Sequence, residues 1–211
     1  MHMTPQITQL PLTLLTSLVL ALSGCATGPN SQVLSPAPKY VGTSIDKLYV
    51  YSFLDVRPEF INDRFAEKVR QMMQEELKKC AVSTEQVWFG ETPQSKLLHA
   101  NPERYTLASS KLISVEGTIA DNRVAEQSFE PSHRLVVFPQ STSGTPNNFT
   151  FELKWDLIET RTRYVQWSVY TRTSSLSKNM TPERADAAAN GFVGSILSEM
   201  KGKDVIRCPR T

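Results

Sequence analysis

The sequence predicts an α/β (α+β) domain in which a small mixed sheet with a long β-hairpin is packed by an early and a C-terminal amphipathic helix. Residues 61–77 and 185–200 carry apolar side chains at helical spacing, which is typical of helices with one buried face. Residues 149–158 and 164–173 alternate apolar and polar side chains, which indicates strands that cover a core with one face.

The charge of the chain is nearly balanced. There are 23 Lys and Arg residues against 21 Asp and Glu residues, for a formal net charge of +2. No basic excess points to a nucleic acid partner, and no acidic tail indicates disorder. The content of 40% hydrophobic and 9% aromatic residues fits one ordinary globular domain.

Residues 1–24 have the layout of a secretory signal peptide. Residues 10–22 are almost uninterrupted apolar sequence, and small residues precede Cys25. The alternative is a transmembrane helix, which needs about 20 apolar residues, whereas this run is shorter and has Pro11 near its start. The segment before the run lacks Lys and Arg, which departs from the usual signal peptide.

The motif Leu22-Ser23-Gly24-Cys25 resembles the lipobox of bacterial lipoproteins. The resemblance implies cleavage between Gly24 and Cys25, a diacylglyceryl thioether on Cys25 and an acyl chain such as palmitate on its amino group. More than one chain is needed for stable attachment to a membrane. Because the next residue is Ala26 and not Asp, the sorting rule of that family implies the periplasmic face of the outer membrane, with the inner membrane as the alternative. No cofactor besides this lipid is predicted.

Residues 25–44 are predicted to form a lipidated flexible tether, and residues 45–211 a single periplasmic α/β domain. The stretch 26–40 is rich in small and polar residues and poor in apolar ones, as flexible linkers are.

The domain is predicted to begin with a strand at 47–54, a helix and a second strand at 83–89. The helix begins either at Pro58 or after a cap at Asn62, and it ends near Cys80 after two lysines that favour the helix dipole. This order predicts a crossover connection between the strands or an α/β layer.

Between the second strand and the hairpin, the elements are predicted from weaker sequence patterns. We expect helical turns within 94–110, a third strand at 112–119, its antiparallel partner at 124–129 and a polar loop at 139–148. The hairpin connection 159–163 lacks glycine, which predicts a longer loop.

The last helix is predicted to begin with Thr181 as its cap and Pro182 in its first position, and to end at Gly202. Val205-Ile206 would then add a short edge strand. On the hairpin, Trp155 and Trp167 are predicted to be buried, with an exposed pair as the alternative.

Two cysteines remain once Cys25 carries lipid. In an oxidising periplasm we expect Cys80 and Cys208 to form a disulfide, and the alternative is two unpaired thiols. Closing a loop of about 130 residues would destabilise the unfolded chain by about 4–5 kcal/mol. A metal site would need more ligands than these thiols with His99 or His133, so no metal is predicted.

The segment Asp156–Ser168 resembles a turn that is found in one group of lipoproteins. In that group, the turn has the sequence Thr-Gly-Glu, followed by apolar residues, Trp and Ser. The group is related to activators of penicillin-binding proteins, the curli-secretion lipoprotein and the amino-terminal domain of TolB. Ser109–Thr118 takes the place of their Gly-Ala-Asp-Tyr strand, although this chain lacks Gly-Ala-Asp and the glycine of the turn. The resemblance implies the order strand, helix, strand, helix, strand, hairpin and closing helix. It also implies a non-enzymatic accessory or assembly role.

No nucleophile motif, metal-binding helix or phosphate-binding glycine loop is found in the sequence. We therefore predict no catalytic residue and no enzymatic activity. Arg161 and Arg163 at the hairpin tip are the predicted partner-binding residues, because they can contact an acidic protein or an anionic envelope polymer. The alternative is a solvated hairpin face.

The resulting hypothesis is a membrane-anchored envelope lipoprotein that acts as a non-enzymatic accessory or assembly factor by binding another envelope protein. The alternatives are a self-assembling structural or secretion-complex lipoprotein, and a small-molecule or glycan binder. The sequence does not specify an oligomeric state.

Overall fold

The computed structural model describes residues 29–55, 61–89, 126–145 and 147–209. The strands are β1 (Asn30–Ser35), β2 (Lys47–Asp55), β3 (Ser83–Phe89), β4 (His133–Thr145), β5 (Asn148–Glu159) and β6 (Val165–Leu176). They form one sheet in the order β1-β6-β5-β4-β2-β3. β2 runs parallel to β3 and β4, and the other pairs are antiparallel. The predicted fold class is confirmed.

Two long helices, α1 (Asp63–Lys79) and α2 (Pro182–Gly202), pack side by side against one face of the sheet. Asn62 caps α1, since its Oδ1 accepts the Phe65 N–H at 3.2 Å, and this decides between the two predicted starts. Thr181 caps α2, and the helix ends at Gly202, both as predicted.

The core lies between these helices and the inward-facing residues of the four central strands. Trp155 and Trp167 are buried there, which confirms that prediction. Trp155 Nε1 donates to Thr171 Oγ1 at 2.8 Å, and Trp167 Nε1 donates to Pro38 O at 3.1 Å. Both indoles thus meet the hydrogen-bonding requirement of a buried tryptophan.

The opposite face of the sheet has two unlike halves. Over β2 and β4, Tyr49 and Tyr51 are buried among other aromatic side chains. Over β5 and β6 the face is charged and polar, and Lys154 Nζ lies 2.7 Å from Asp156 Oδ2.

The structure corrects the predicted tether. Residues 30–35 form β1, which pairs with β6 from Asn30 opposite Ser174 onward. The next residues also pack on the domain, since Ala37 and Tyr40 are buried. The prediction of a flexible tether over 25–44 is therefore wrong for residues 30–44. The prediction failed because an edge strand at the rim of the core buries few apolar side chains, so its composition resembles that of a flexible linker.

Three smaller predictions are also wrong. Residues 139–145 belong to β4 and not to a loop, residues 126–129 are helical and not a strand, and Val205-Ile206 form buried bends and not an edge strand. The predicted elements at 94–110 and 112–119 lie outside the described residues, as do Gly24 and Cys25. None of the described helices is long and apolar enough to cross a membrane.

β1 begins at one end of the sheet, which we call the proximal end. The first turns of both helices lie there, and Asn62 Nδ2 donates to Lys178 O at 2.9 Å between them. The opposite, distal end carries the β5–β6 hairpin tip, the first residues of β2, β3 and β4, and the last turns of both helices.

Candidate partner-binding site at the distal end

The distal end contains the predicted disulfide. Cys80, the C-cap residue of α1, is bonded to Cys208 beyond the end of α2, across 128 residues of chain. Lys201 Nζ of α2 also lies 3.5 Å from Glu76 Oε2 of α1. These links hold the last turns of the two helices together.

The hairpin tip, residues 160–164, is organised around Glu159. Oε2 of Glu159 accepts hydrogen bonds from Thr162 Oγ1 at 2.7 Å and from Gln166 Nε2 at 3.2 Å. The Arg163 N–H donates to Glu159 O at 2.8 Å, and Arg163 has a φ of 63°, in the left-handed region that favours glycine. The longer loop predicted from the missing glycine is confirmed, and these hydrogen bonds fix its shape.

Arg161 and Arg163, the predicted partner-binding residues, both lie on this tip and are exposed. The Arg161 side chain is 84% exposed, with a guanidinium nitrogen 3.9 Å from Glu159 Oε1. An ion pair this long and exposed contributes little to stability. Among the described residues, no ion pair forms to Arg163. A role for either residue in binding a partner stays a prediction.

Residues 36–46, which we call the strap, connect β1 to β2 across the distal end. The Ala37 N–H donates to Glu199 Oε1 at 2.9 Å, and the Tyr40 N–H donates to Lys203 O at 2.8 Å. These bonds attach the strap to the end of α2.

The strap also contacts the base of the hairpin. A Cβ on Gly42 would lie within 2.5 Å of the Tyr40 hydroxyl and of Gln166 Oε1, so the strap packs closely on the Gln166 side chain of β6, and a larger residue would force these side chains to move. The same Gln166 side chain donates to Glu159. The strap and the hairpin tip therefore form one packed unit.

His133 is buried beneath the strap and is 1% exposed. Its Nε2 lies 3.0 Å from the Tyr40 hydroxyl, which donates to Thr43 O at 2.9 Å. Burial lowers the pKa of His133, although the charges of Glu159 and Asp46 oppose the shift. His133 is therefore neutral at pH 7.

His133 lies between two hydroxyl groups, those of Tyr40 and Ser132. Burial raises the pKa of the Tyr40 hydroxyl, so it also is neutral at pH 7. Ser132 Oγ lies 3.2 Å from His133 Nδ1 and donates to Lys47 O at 3.0 Å. The bond between Tyr40 and His133 holds the strap against the sheet, and the bonds of Ser132 join the start of β4 to the start of β2. Within the described parts of the chain, no cluster of His, Cys, Asp and Glu could hold a metal ion.

Sequence reasoning missed the apolar part of this end. Val41, Tyr164 and Val165 are 92%, 75% and 52% exposed, and they are three of the five exposed large hydrophobic residues that the structure describes. Val41 precedes Gly42 and Val165 precedes Gln166, so both flank the contact between the strap and the hairpin. Two adjacent apolar residues, Tyr164 and Val165, break the alternation of apolar and polar residues along the hairpin, and this break could have indicated the exposed apolar surface. Nothing in the sequence distinguishes Val41.

Comparisons with known proteins find weak structural similarity. No protein-family model and no curated protein matches the chain. A PelC dodecamer structure from Paraburkholderia phytofirmans is 8% identical with a TM-score of 0.41, over 82% of this chain and 96% of that chain. The lipoprotein GNA1162 from Neisseria meningitidis is 14% identical with a TM-score of 0.33, over 72% of this chain and 98% of that chain. A Xanthomonas campestris protein is 13% identical with a TM-score of 0.31, over 81% and 89% of the two chains.

Similarity at this level assigns neither a family nor a function. The resemblance to the activators of penicillin-binding proteins, the curli-secretion lipoprotein and TolB stays a prediction.

Proposed function

We propose that the protein is an envelope lipoprotein, anchored through Cys25 to the periplasmic face of the outer membrane, that acts as a non-enzymatic accessory or assembly factor by binding another envelope protein. One observation carries the proposal: the exposed arginine tip lies at the distal end of the sheet, whereas the chain runs back toward Cys25 from the proximal end.

The anchor follows from the lipobox-like motif and from where the sheet begins. Only Ala26–Pro29 separate Cys25 from β1, a stretch that spans at most about 18 Å. A lipid on Cys25 therefore keeps the proximal end close to the membrane. The disulfide between Cys80 and Cys208 suits an oxidising compartment outside the cytoplasm.

The distal tip is directed away from that anchor. Along β6, the path from Ser174, opposite Asn30, to Val165 is about 30 Å long. Arginine is enriched in protein interfaces because its planar guanidinium forms several directed hydrogen bonds. Arg161 and Arg163 thus suit contact with a partner that stands off the membrane surface.

The test is crosslinking in cells of the full-length protein, followed by purification, beside a Cys25→Ala variant. We expect one reproducible partner that is lost in the variant, and an intact mass for the unaltered protein that includes the lipid. Self-crosslinks alone, or the same partner without the anchor, would contradict the proposal.

A further inference from the structure

We propose that the strap corner and the hairpin tip form one docking surface, with Val41, Tyr164 and Val165 at its centre and Arg161 and Arg163 at its rim. The surface fits a segment of another envelope protein in which an apolar side chain lies beside carboxylates. This inference rests on the proposed function and names the partner chemistry of the same site.

The apolar centre is the first step of the argument. Most large apolar side chains that the structure describes are buried, yet Val41 on the strap and Tyr164 and Val165 on the hairpin are exposed, and these two segments meet at Gly42 and Gln166. Tyrosine and arginine are the residue types that contribute most to binding at protein interfaces, because they bury a large area and also form hydrogen bonds.

The surface is also rigid before binding. The tip is held by the hydrogen bonds of Glu159 to Thr162 and Gln166, and the strap by the buried contact between Tyr40 and His133. A partner that docks here therefore loses little affinity to ordering of loops.

Charge determines which segment fits. Arg161 has one long, exposed contact, at 3.9 Å with Glu159 Oε1, and no ion pair forms to Arg163 among the described residues, so both rim arginines can still pair with a partner's carboxylates. A basic segment would be repelled, whereas carboxylates beside an apolar side chain match both parts of the surface.

The membrane itself fits this surface less well than a protein segment. The tip lies about 30 Å along β6 from the place where β1 begins. A tether as short as Ala26–Pro29 keeps the opposite end of the sheet at the lipid.

The experiment uses the full-length protein in its own cells, with the photocrosslinker p-benzoylphenylalanine at position 41 or at position 164. We expect both positions to crosslink to one segment of the same protein, in which apolar residues neighbour Asp or Glu. The double variant Arg161→Glu/Arg163→Glu should lower the crosslink yield at least about tenfold. Lysines in place of the partner's carboxylates should restore it.

Two variants separate binding from folding. Lys178→Glu/Arg184→Glu makes the same change of charge at exposed residues of the proximal end and should leave the crosslink intact. Arg163→Gly removes one rim charge at a position whose φ suits glycine, so it should lower the yield without lowering the melting temperature.

Crosslinks to lipid, to a second copy of this chain or to a different protein from each position would overturn the docking surface. So would a yield that is insensitive to charge reversal, or no crosslink in cells where the Cys25-dependent partner is still purified. In that last case the proposed function stands. If no Cys25-dependent partner is purified and neither position crosslinks, both proposals fail.

Discussion

Different kinds of interaction hold the elements together at the two ends of the sheet. At the distal end, a disulfide joins the ends of both helices, and the buried pair of Tyr40 and His133 holds the strap. At the proximal end, Asn62 links the starts of the helices by hydrogen bonds, and Arg64 forms an exposed ion pair with Asp186.

The difference shows where the molecule needs a fixed shape. Exposed ion pairs and single caps contribute modestly to stability. A disulfide and a buried hydrogen-bonded pair constrain geometry far more strongly. The constrained end is the one that carries the exposed arginines and apolar side chains, as expected if that end must present a preformed surface.

The largest effect on this comparison is expected when the disulfide is removed. Cys80→Ser/Cys208→Ser should lower the free energy of unfolding by about 4–5 kcal/mol, because the reduced chain gains the freedom of a 128-residue loop. Urea unfolding of the purified full-length protein measures the loss. Reductant should shift the midpoint of the unaltered protein to that of the variant; a midpoint unchanged by reductant would contradict a structural disulfide.

A smaller effect is expected at the proximal end. Asn62→Ala removes the cap of α1 and the bond from Nδ2 to Lys178 O, and should lower the free energy of unfolding by about 1–2 kcal/mol. Asn62→Asp is the matched control, because it keeps the accepting oxygen and loses only the donor. If the alanine variant is destabilised as much as the variant without the disulfide, the contrast between the ends is wrong.

The smallest expected effect is a pH dependence at the distal end. Burial lowers the pKa of His133 in the folded protein below its ordinary value of 6.5, so the unfolded chain binds a proton more readily. The contribution of His133 to stability is complete above pH 6.5 and decreases as the pH falls toward the folded pKa.

His133→Gln should therefore make the free energy of unfolding less dependent on pH just below pH 6.5, relative to the unaltered protein. Urea unfolding at a series of pH values measures this, and Asn62→Asp, at the other end, provides a control with His133 intact. If the free energy of unfolding depends on pH equally in the His133→Gln variant and in the unaltered protein, His133 does not titrate in this pH range.

The parts of the fold with strong periodicity could be predicted from the sequence. Both helices and the long hairpin bury one regular face, so their apolar residues repeat with the period of the element. The capping residues Asn62 and Thr181 supplied the helix starts. The disulfide was predicted from the expected export of the chain and from the count of cysteines.

The strands at the edges of the core could not be predicted in the same way. β1 and the outer half of β4 are defined mainly by backbone pairing, and most of their side chains are exposed, so their composition is that of a linker. The candidate site was predicted only in part for a similar reason. Arg161 and Arg163 lie on a local hairpin, whereas Val41 lies on the strap, which meets that hairpin through the contact of Gly42 with Gln166, across a long sequence separation.

If the chain is exported as proposed, the pairing of β1 with β6 also sets an order of events during export. Asn30 and Ser174 are 144 residues apart in the chain, so the first strand has no partner until nearly the whole protein has crossed the membrane. Until then, β1 is not yet paired, and the proposed cleavage and acylation at Cys25 can take place before the sheet is complete. Once β6 arrives and β1 pairs with it, only Ala26–Pro29 remain between the sheet and Cys25, so the proposed lipid would hold the finished domain close to the bilayer.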